Sequence, residues 1–254
     1  MKLFKRAPAI RFTGDFKSWK DAERASTGYG APEILEKTRA ALLKVKRGEA
    51  AFERDSVTFE EMEYEFPLLA GLLRTANAFN GRLSVLDFGG ALGSSYFHCR
   101  SFLSIVKQLR WSVVDQPSQV ACGREDFANE ELRFYETVAA CLRDEQPNVL
   151  LLSGVLQYLA RPYDVLAGLL RESFPYVIVE RMAFNGSGRD RLTVQHVPPQ
   201  IYQASYPAWF LSENSFRKVF AGRYELICEY RGRDEVNLEN GRAVFKGFQF
   251  QLKS

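Results

Sequence analysis

The chain has 254 residues, with 34 Lys and Arg against 31 Asp and Glu, for a formal net charge of +3. At 46% hydrophobic and 26% charged residues it has the make-up of an ordinary globular protein, long enough to bury a core without disulfides or metal. Those figures exclude disorder, a collagen-like repeat and a disulfide scaffold. The even alternation of acids and bases speaks against a nucleic-acid surface, which gathers positive charge into a stripe.

The largest local excess of charge is at the start, where Lys2, Lys5, Arg6, Arg11, Lys17 and Lys20 face Asp15 alone; this reads as a solvated arm. The opening lacks the apolar core of a signal peptide, and no stretch approaches the length of a membrane span. Cys99, Cys122, Cys141 and Cys228 lie far apart, and His98 and His196 are the only histidines, so no metal site assembles. The expectation is a reduced, cytoplasmic protein.

In chain order, residues 31–45 place Ile34, Leu35, Thr38, Leu42 and Val45 on one stripe, and Gly48 follows, so a helix is predicted. Residues 66–79 form a second predicted helix, stopped by Asn80-Gly81. Between them, 52–66 is acid-rich and mixed in pattern. From residue 83 the character changes. Nearly continuous apolar runs at 83–88, 111–115, 132–137, 148–153 and 176–180 read as strands buried on both faces of a parallel sheet. The intervals, such as 94–107 and 155–171, are long enough for crossover helices. Residues 224–230 and 243–252 are two further strands with no helix between them, hence antiparallel. The Phe245, Phe248 and Phe250 group spans both faces of the last one. The predicted fold is therefore α/β and Rossmann-like: a seven-stranded, mostly parallel sheet with an antiparallel last strand. It comprises a helical cap over 1–82 and a sheet domain over 83–254, with an insertion at 182–222.

The most informative segment is VLDFGGALGSSYF, residues 85–97. A strand ends in Asp87, and Gly89, Gly90 and Gly93 open the following helix. In an open α/β sheet, ligands bind outside the carboxyl ends of the strands, where glycine lets the backbone approach closely. The nicotinamide fingerprint fails, because its second and third glycines fall on Ala91 and Ser94. An acid before the first glycine instead suits a cationic ligand, and S-adenosyl-L-methionine carries a sulfonium and an ammonium. The pattern acid-x-Gly-x-Gly-x-Gly falls on Asp87, Gly89, Ala91 and Gly93, with Ala91 the one departure. Asp115, with Gln116 beside it, ends the next strand, where a carboxylate can accept both ribose hydroxyls of a nucleoside; capping the following helix is its ordinary alternative. Ser153 and Gly154 make a small-residue turn between a strand and an amphipathic helix, by itself a fourth βα unit.

On these residues the stretch 83–182 resembles a class I S-adenosylmethionine-dependent methyltransferase, which implies that the Ser153-Gly154 turn lies alongside the cofactor. More narrowly, the chain resembles a family of methyltransferase-like proteins encoded with bacterial surface-polysaccharide (O-antigen or capsule) genes. That likeness is carried by GYGAPEIL (28–35), FERDSVTF (52–59), LDFGGALGSSYF (86–97), SGVLQYLARPYDVL (153–166) and TVQHVPPQIYQASYPAWF (193–210). It implies the cofactor more firmly than the acceptor. A non-catalytic binding or scaffold protein, with Ala91 marking a degenerate site, stays open. So does, less favourably, a nicotinamide-dependent sugar oxidoreductase or epimerase.

The acceptor side falls to the segment 181–220, read as a long lid or wall on the edge of the glycine loop. Tyr202, Tyr206 and Trp209 suit stacking on a sugar, with Gln195 among them, and Arg181 and Arg189 suit a carboxylate or phosphate. Arg191 adds to that charge, so an anionic or sugar-like small molecule is expected. His196, placed in a Pro-rich loop, is the candidate general base, with Glu180 at a strand end its rival; an enzyme that only aligns its reactants would need neither. His98, on the first crossover helix, reads as structural. The N-terminal helices either cover the cofactor, with Tyr29 over the site, or form a homodimer contact.

Overall fold

The computed structural model describes residues 10–28, 32–238 and 241–253. Tyr29, Lys2, Lys5, Arg6 and Asn240 lie outside the described residues.

The chain begins with β1 (Arg11–Thr13), α1 (Trp19–Arg24) and α2 (Pro32–Lys46), then a short hairpin of β2 (Phe52–Arg54) and β3 (Val57–Phe59), and α3 (Phe66–Ala78). There follow β4 (Arg82–Phe88), α4 (Ser94–Arg100), β5 (Gln108–Val114), α5 (Pro117–Asp126), β6 (Leu132–Tyr135), α6 (Val138–Asp144) and β7 (Val149–Ser153). A 3-10 turn, Leu156–Tyr158, leads into α7 (Pro162–Arg171), then β8 (Tyr176–Asn185), β9 (Arg191–Val197), β10 (Ala204–Phe210), α8 (Glu213–Phe220), β11 (Tyr224–Leu238) and β12 (Gly241–Leu252).

The main sheet has seven strands in the order β11-β12-β8-β7-β4-β5-β6. Pairs among β4, β5, β6, β7 and β8 are parallel, while β12 runs antiparallel to both β8 and β11. This is the α/β Rossmann-like arrangement expected, with the antiparallel last strand. The order reverses between β4 and β7, so the crevice of the fold opens above the carboxyl ends of those strands.

Each sheet face is covered. On one, Leu68, Leu69 and Leu72 of α3 join Leu83, Val85, Trp111, Val113 and Ile178 in a single apolar cluster with Tyr96 of α4 and Val120 of α5. On the other, Cys141, Leu166, Leu169, Leu170, Phe216 and Phe220 from α6, α7 and α8 pack on Leu86, Leu150, Leu152, Val177, Val179 and Phe248. Alternate residues of β8 go to opposite clusters, as the strand period of two requires. Each of these side chains contributes about 1.5–3 kcal/mol by leaving water. Prolines at the first turns of α3, α5 and α7 fix where those helices start. Phe248 and Phe250 pack on Phe216 and Phe220, whereas Phe245 meets Phe210.

Two expectations are corrected. The strand at 176–180 does not end at Glu180 but runs on to Asn185, and the segment after it is not a loop. β9 and β10 pair antiparallel, and β1 adds to β9, making a separate three-stranded sheet. Its two faces are both covered. Leu192 and Val194 meet Ala22 of α1, while Phe12, Ala208 and Phe210 meet Ala183, Ala243 and Leu238 of the main sheet. The mixed segment 52–66 is the second correction, since it opens with the β2–β3 hairpin. Of the cysteines, Cys99 and Cys141 are buried small hydrophobes, but Cys228 is exposed.

Candidate active site at the carboxyl edge of the sheet

The loop after β4 has the backbone its sequence implies. Gly89, Ala91 and Gly93 all have positive φ, at 72°, 50° and 92°. A Cβ at Gly89 would lie 2.3 Å from Val155 Cγ2, and one at Gly90 would lie 2.5 Å from Asp87 Cγ. Ala91 therefore holds the left-handed conformation its position demands, at a cost of about 1–2 kcal/mol, without distorting the loop.

Asp87 lies directly under this loop with no exposed surface. Its Oδ2 accepts the indole N–H of Trp111 at 3.0 Å, and its Oδ1 has no partner. Burial pushes its carboxyl up to about 7, against the pull of the Trp111 N–H. Asp115, just past β5, joins the loop to the second strand. Its Oδ2 accepts the Ala91 N–H at 2.8 Å and its Oδ1 the Gln116 N–H at 2.7 Å. Burial raises this carboxyl too, opposed by those two bonds. Two of roughly four lone-pair positions stay open. Gln116 is exposed at the N-cap of α5.

On the other side of the crevice, Ser153 ends β7 opposite Glu180, and the Gly154 N–H donates to the Glu180 carbonyl at 2.9 Å. Gly154 has φ of 64° and faces Arg181 and Gln157. Glu180 and Arg181 together oppose the single residue Gly247 of β12, a β-bulge that turns consecutive side chains to new directions. Glu180 accepts the hydroxyl of Tyr230 and is raised to about 7, chiefly by burial and secondarily by Glu65. Arg181, at φ of 53°, reaches Asp55 at the tip of the β2–β3 hairpin, Nη2 to Oδ2 2.6 Å.

That hairpin spans the crevice. Its two-residue turn, Asp55-Ser56, has φ of 52° and 67°, the signs a type I′ turn requires. Glu53 accepts the Ser94 hydroxyl at 2.5 Å and the Ser56 N–H at 2.6 Å. Ser56 bonds Thr38 of α2 at 2.9 Å, and Phe52 stacks on His98, which bonds the Glu63 carbonyl. Sequence reasoning missed Glu53 and Asp55, because neither turn residue is Gly or Asn.

Of the expected acceptor residues, Arg181, Gln195, Tyr202 and Tyr206 come together. Tyr158 donates to Gln195 Oε1 at 2.9 Å, Gln195 Nε2 donates to the Tyr206 hydroxyl at 3.2 Å, and Tyr202 bonds Tyr206 at 3.2 Å. Tyr158 and Gln157, also missed, stand on the turn after Gly154; Gln157 Nε2 donates to the Arg181 carbonyl at 3.1 Å, and its buried Oε1 has no partner. The remaining expectations are corrected. His196 lies on β9, not in a Pro-rich loop, and strand alternation turns it to the face opposite Gln195, where Nε2 bonds Thr13 at 2.8 Å. Trp209 shares that opposite face and stacks on Trp19. Arg189 is at the far end of β9, bound to Asp15, and Arg191 donates to the Gly14 carbonyl at 3.0 Å. The positive charge foreseen for this segment is thus divided between two places.

Two surface depressions, about 510 and 230 Å³, lie at the opposite edge, lined by residues such as Phe79 and Tyr176, and Arg82 and Arg110. Neither contains the glycine loop or the carboxyls around it.

No protein-family model matches the chain, and no curated protein does. Among solved structures, the N-terminal domain of EvdMO1, in the presence of SAH and D-fucose, is 16% identical with a TM-score of 0.49, covering 85% of this chain and 97% of that one. A 1,6-didemethyltoxoflavin-N1-methyltransferase from Burkholderia thailandensis is 14% identical with a TM-score of 0.42, covering 90% and 93%. CalS10, an amino pentose methyltransferase from Micromonospora echinaspora, is 12% identical with a TM-score of 0.43, covering 73% and 92%.

Proposed function

We propose that this chain is an S-adenosyl-L-methionine-dependent methyltransferase acting on a small molecule, a sugar of surface-polysaccharide assembly in the bacterial cytoplasm being the finer reading. The observation that carries it is the glycine loop at the switch point, with Gly89, Ala91 and Gly93 left-handed above a buried carboxylate that has an unpartnered oxygen. A cationic ligand suits Asp87, Asp115, Glu53 and Glu180, four carboxyls that burial has made reluctant to ionise. The positive φ of Ala91, in the region glycine favours, supports a working loop over a degenerate one.

When bound, S-adenosylmethionine supplies a methyl group on a positively charged sulfur. The residues of the chain then divide the remaining work. Gly89, Gly90 and Gly93 admit the cofactor against backbone, Asp115 has lone pairs left for ribose hydroxyls, and Gln116, Ser153 and Gly154 flank them. Arg181, Gln195, Tyr202 and Tyr206 border the acceptor. Glu180 takes the acceptor's proton: burial raises its carboxyl to about 7, in the range a general base needs, and the Tyr230 hydroxyl steadies its charged form. Of the N-terminal region, the β2–β3 hairpin, held by Ser94 and Arg181, acts as the cap over this edge. Calorimetric titration tests the reading. S-adenosylmethionine and S-adenosylhomocysteine are expected to bind and NAD not to; folded protein that binds neither sulfur compound would refute it.

A further inference from the structure

We propose that Asp55 is a displaceable stand-in for an oxyanion on the acceptor, and that Arg181 is the group that receives it. Four observations converge here. Of the arginines in the expected acceptor segment, Arg181 lies at the crevice, whereas Arg189 and Arg191 are held at the far end of β9 by Asp15 and Gly14 and Arg217 on α8 is bound to Glu213 and Glu229. Its partner Asp55 comes from 126 positions away and both side chains are well exposed, 39% and 51%. An exposed pair of this kind adds little to stability and exchanges readily with solution ions.

The backbone at this contact is also strained. Six non-glycine residues with positive φ occur among the described residues; Asp55 and Arg181 are the two members of this ion pair, Ser56 is the residue next to Asp55, and Ala91 is in the adjacent loop. Such conformations persist where surrounding contacts enforce them and gather at ligand clamps. Finally, the hairpin is a two-stranded sheet of three residues a side, too small to stand alone, so its position depends on side-chain contacts. A planar guanidinium presents the same fork to a carboxylate or a phosphate as it does to Asp55. Binding of such a group at Arg181 breaks the Asp55 contact, frees the hairpin tip and opens the crevice for the rest of the acceptor. The proposal deepens the reading above and rests on it only in calling the ligand an acceptor.

The test uses inorganic pyrophosphate and malonate as phosphate and carboxylate probes, titrated calorimetrically into the full chain, with amide hydrogen exchange followed over 52–59. Wild type is expected to bind a probe weakly and to lose protection at 55–57 on binding. Asp55→Asn should raise probe affinity about 5- to 10-fold, Arg181→Gln should abolish it, and Arg181→Lys should retain part of it. Which probe gains more from Asp55→Asn distinguishes a phosphate-bearing from a carboxylate-bearing acceptor. Affinity unchanged in Asp55→Asn, or binding that persists in Arg181→Gln, would overturn the proposal. S-adenosylhomocysteine titrated into the same samples separates the two ideas. Loss of its binding with the probe response intact refutes the methyltransferase reading alone, and the reverse refutes the stand-in alone.

Discussion

The two walls of the crevice are built differently. On the glycine-loop side, residues close in sequence are fixed by backbone: three alternate left-handed positions, a carboxyl with no exposed surface, and a bond from the Ala91 N–H to Asp115. On the cover side, the site is held by side chains that reach across long stretches of chain. Examples are Asp55 to Arg181, Thr27 to Ser205 and the Lys37 ammonium to the Ile201 carbonyl at 2.7 Å. The first wall has no slack, because an added methyl meets an atom at once. The second can lose a contact and keep its fold. Under the proposed function, the rigid wall would seat the cofactor and the adjustable wall would cover the acceptor.

Changes in the rigid wall should have the largest effects. Gly90→Val puts its Cβ 2.5 Å from Asp87 Cγ, where neither partner can withdraw. A stability loss of about 3 kcal/mol in urea denaturation, with cofactor binding abolished, is expected from such overpacking. A mild phenotype would show that this wall has slack too.

Titration comes next. Asp87 and Glu180 are raised to about 7 from ordinary values of 3.8 and 4.5. Between about pH 4 and 7 the unfolded chain releases these protons while the folded chain keeps them. Stability is therefore greatest at the acid end of that window and falls as pH rises, by up to about 4 kcal/mol for Asp87. Asp87→Asn should flatten the slope and leave the protein more stable than wild type at about pH 8. Cofactor affinity should run the opposite way, strengthening from about pH 6 to 8, since a cation prefers ionised carboxyls. A flat stability profile in wild type would mean that water reaches Asp87.

Asp115→Asn keeps the shape but turns one of the two acceptor oxygens into an NH2, so one of the two N–H donors, Ala91 or Gln116, loses its acceptor and the other keeps only a neutral one. A loss of about 1–2 kcal/mol and a cofactor weaker by about 10-fold or more are expected. Unchanged affinity would refute the ribose assignment. The cover should respond least. Lys37→Met removes the bond to Ile201 and is expected to shift global stability by about 1 kcal/mol or less, with faster amide exchange confined to 197–206. A global loss as large as that of Gly90→Val would erase the distinction between the walls.

The same division explains what could be read from sequence. The parallel strands are legible because burial on both faces makes their apolar runs nearly continuous, and the glycine loop because its chemistry is local. Asp87, Asp115 and Glu180 accordingly lie at the edge where they were expected. The cover was not legible. The Asp55-Ser56 turn lacks the usual glycine, and β9 and β10, buried on both faces, are broken by Pro198-Pro199 into what looks like a loop. His196 stood out as a residue type, but the strand's period of two sends it to Thr13 and sends its neighbour Gln195 to the site. Alternation of Leu192 and Val194 with Thr193 and Gln195 was the available signal. Glu53, Asp55, Gln157 and Tyr230 depend on contacts far apart in sequence, which no local pattern encodes.

The most direct test of the central claim is a crystal structure of the chain with S-adenosylhomocysteine. The ligand is expected between the Gly89–Gly93 turn and Asp115, beneath the β2–β3 hairpin, with its ribose on the Asp115 carboxylate. Ligand density at the amino-end depression beside Phe79 and Tyr176, or ribose hydroxyls with no contact to Asp115, would contradict it.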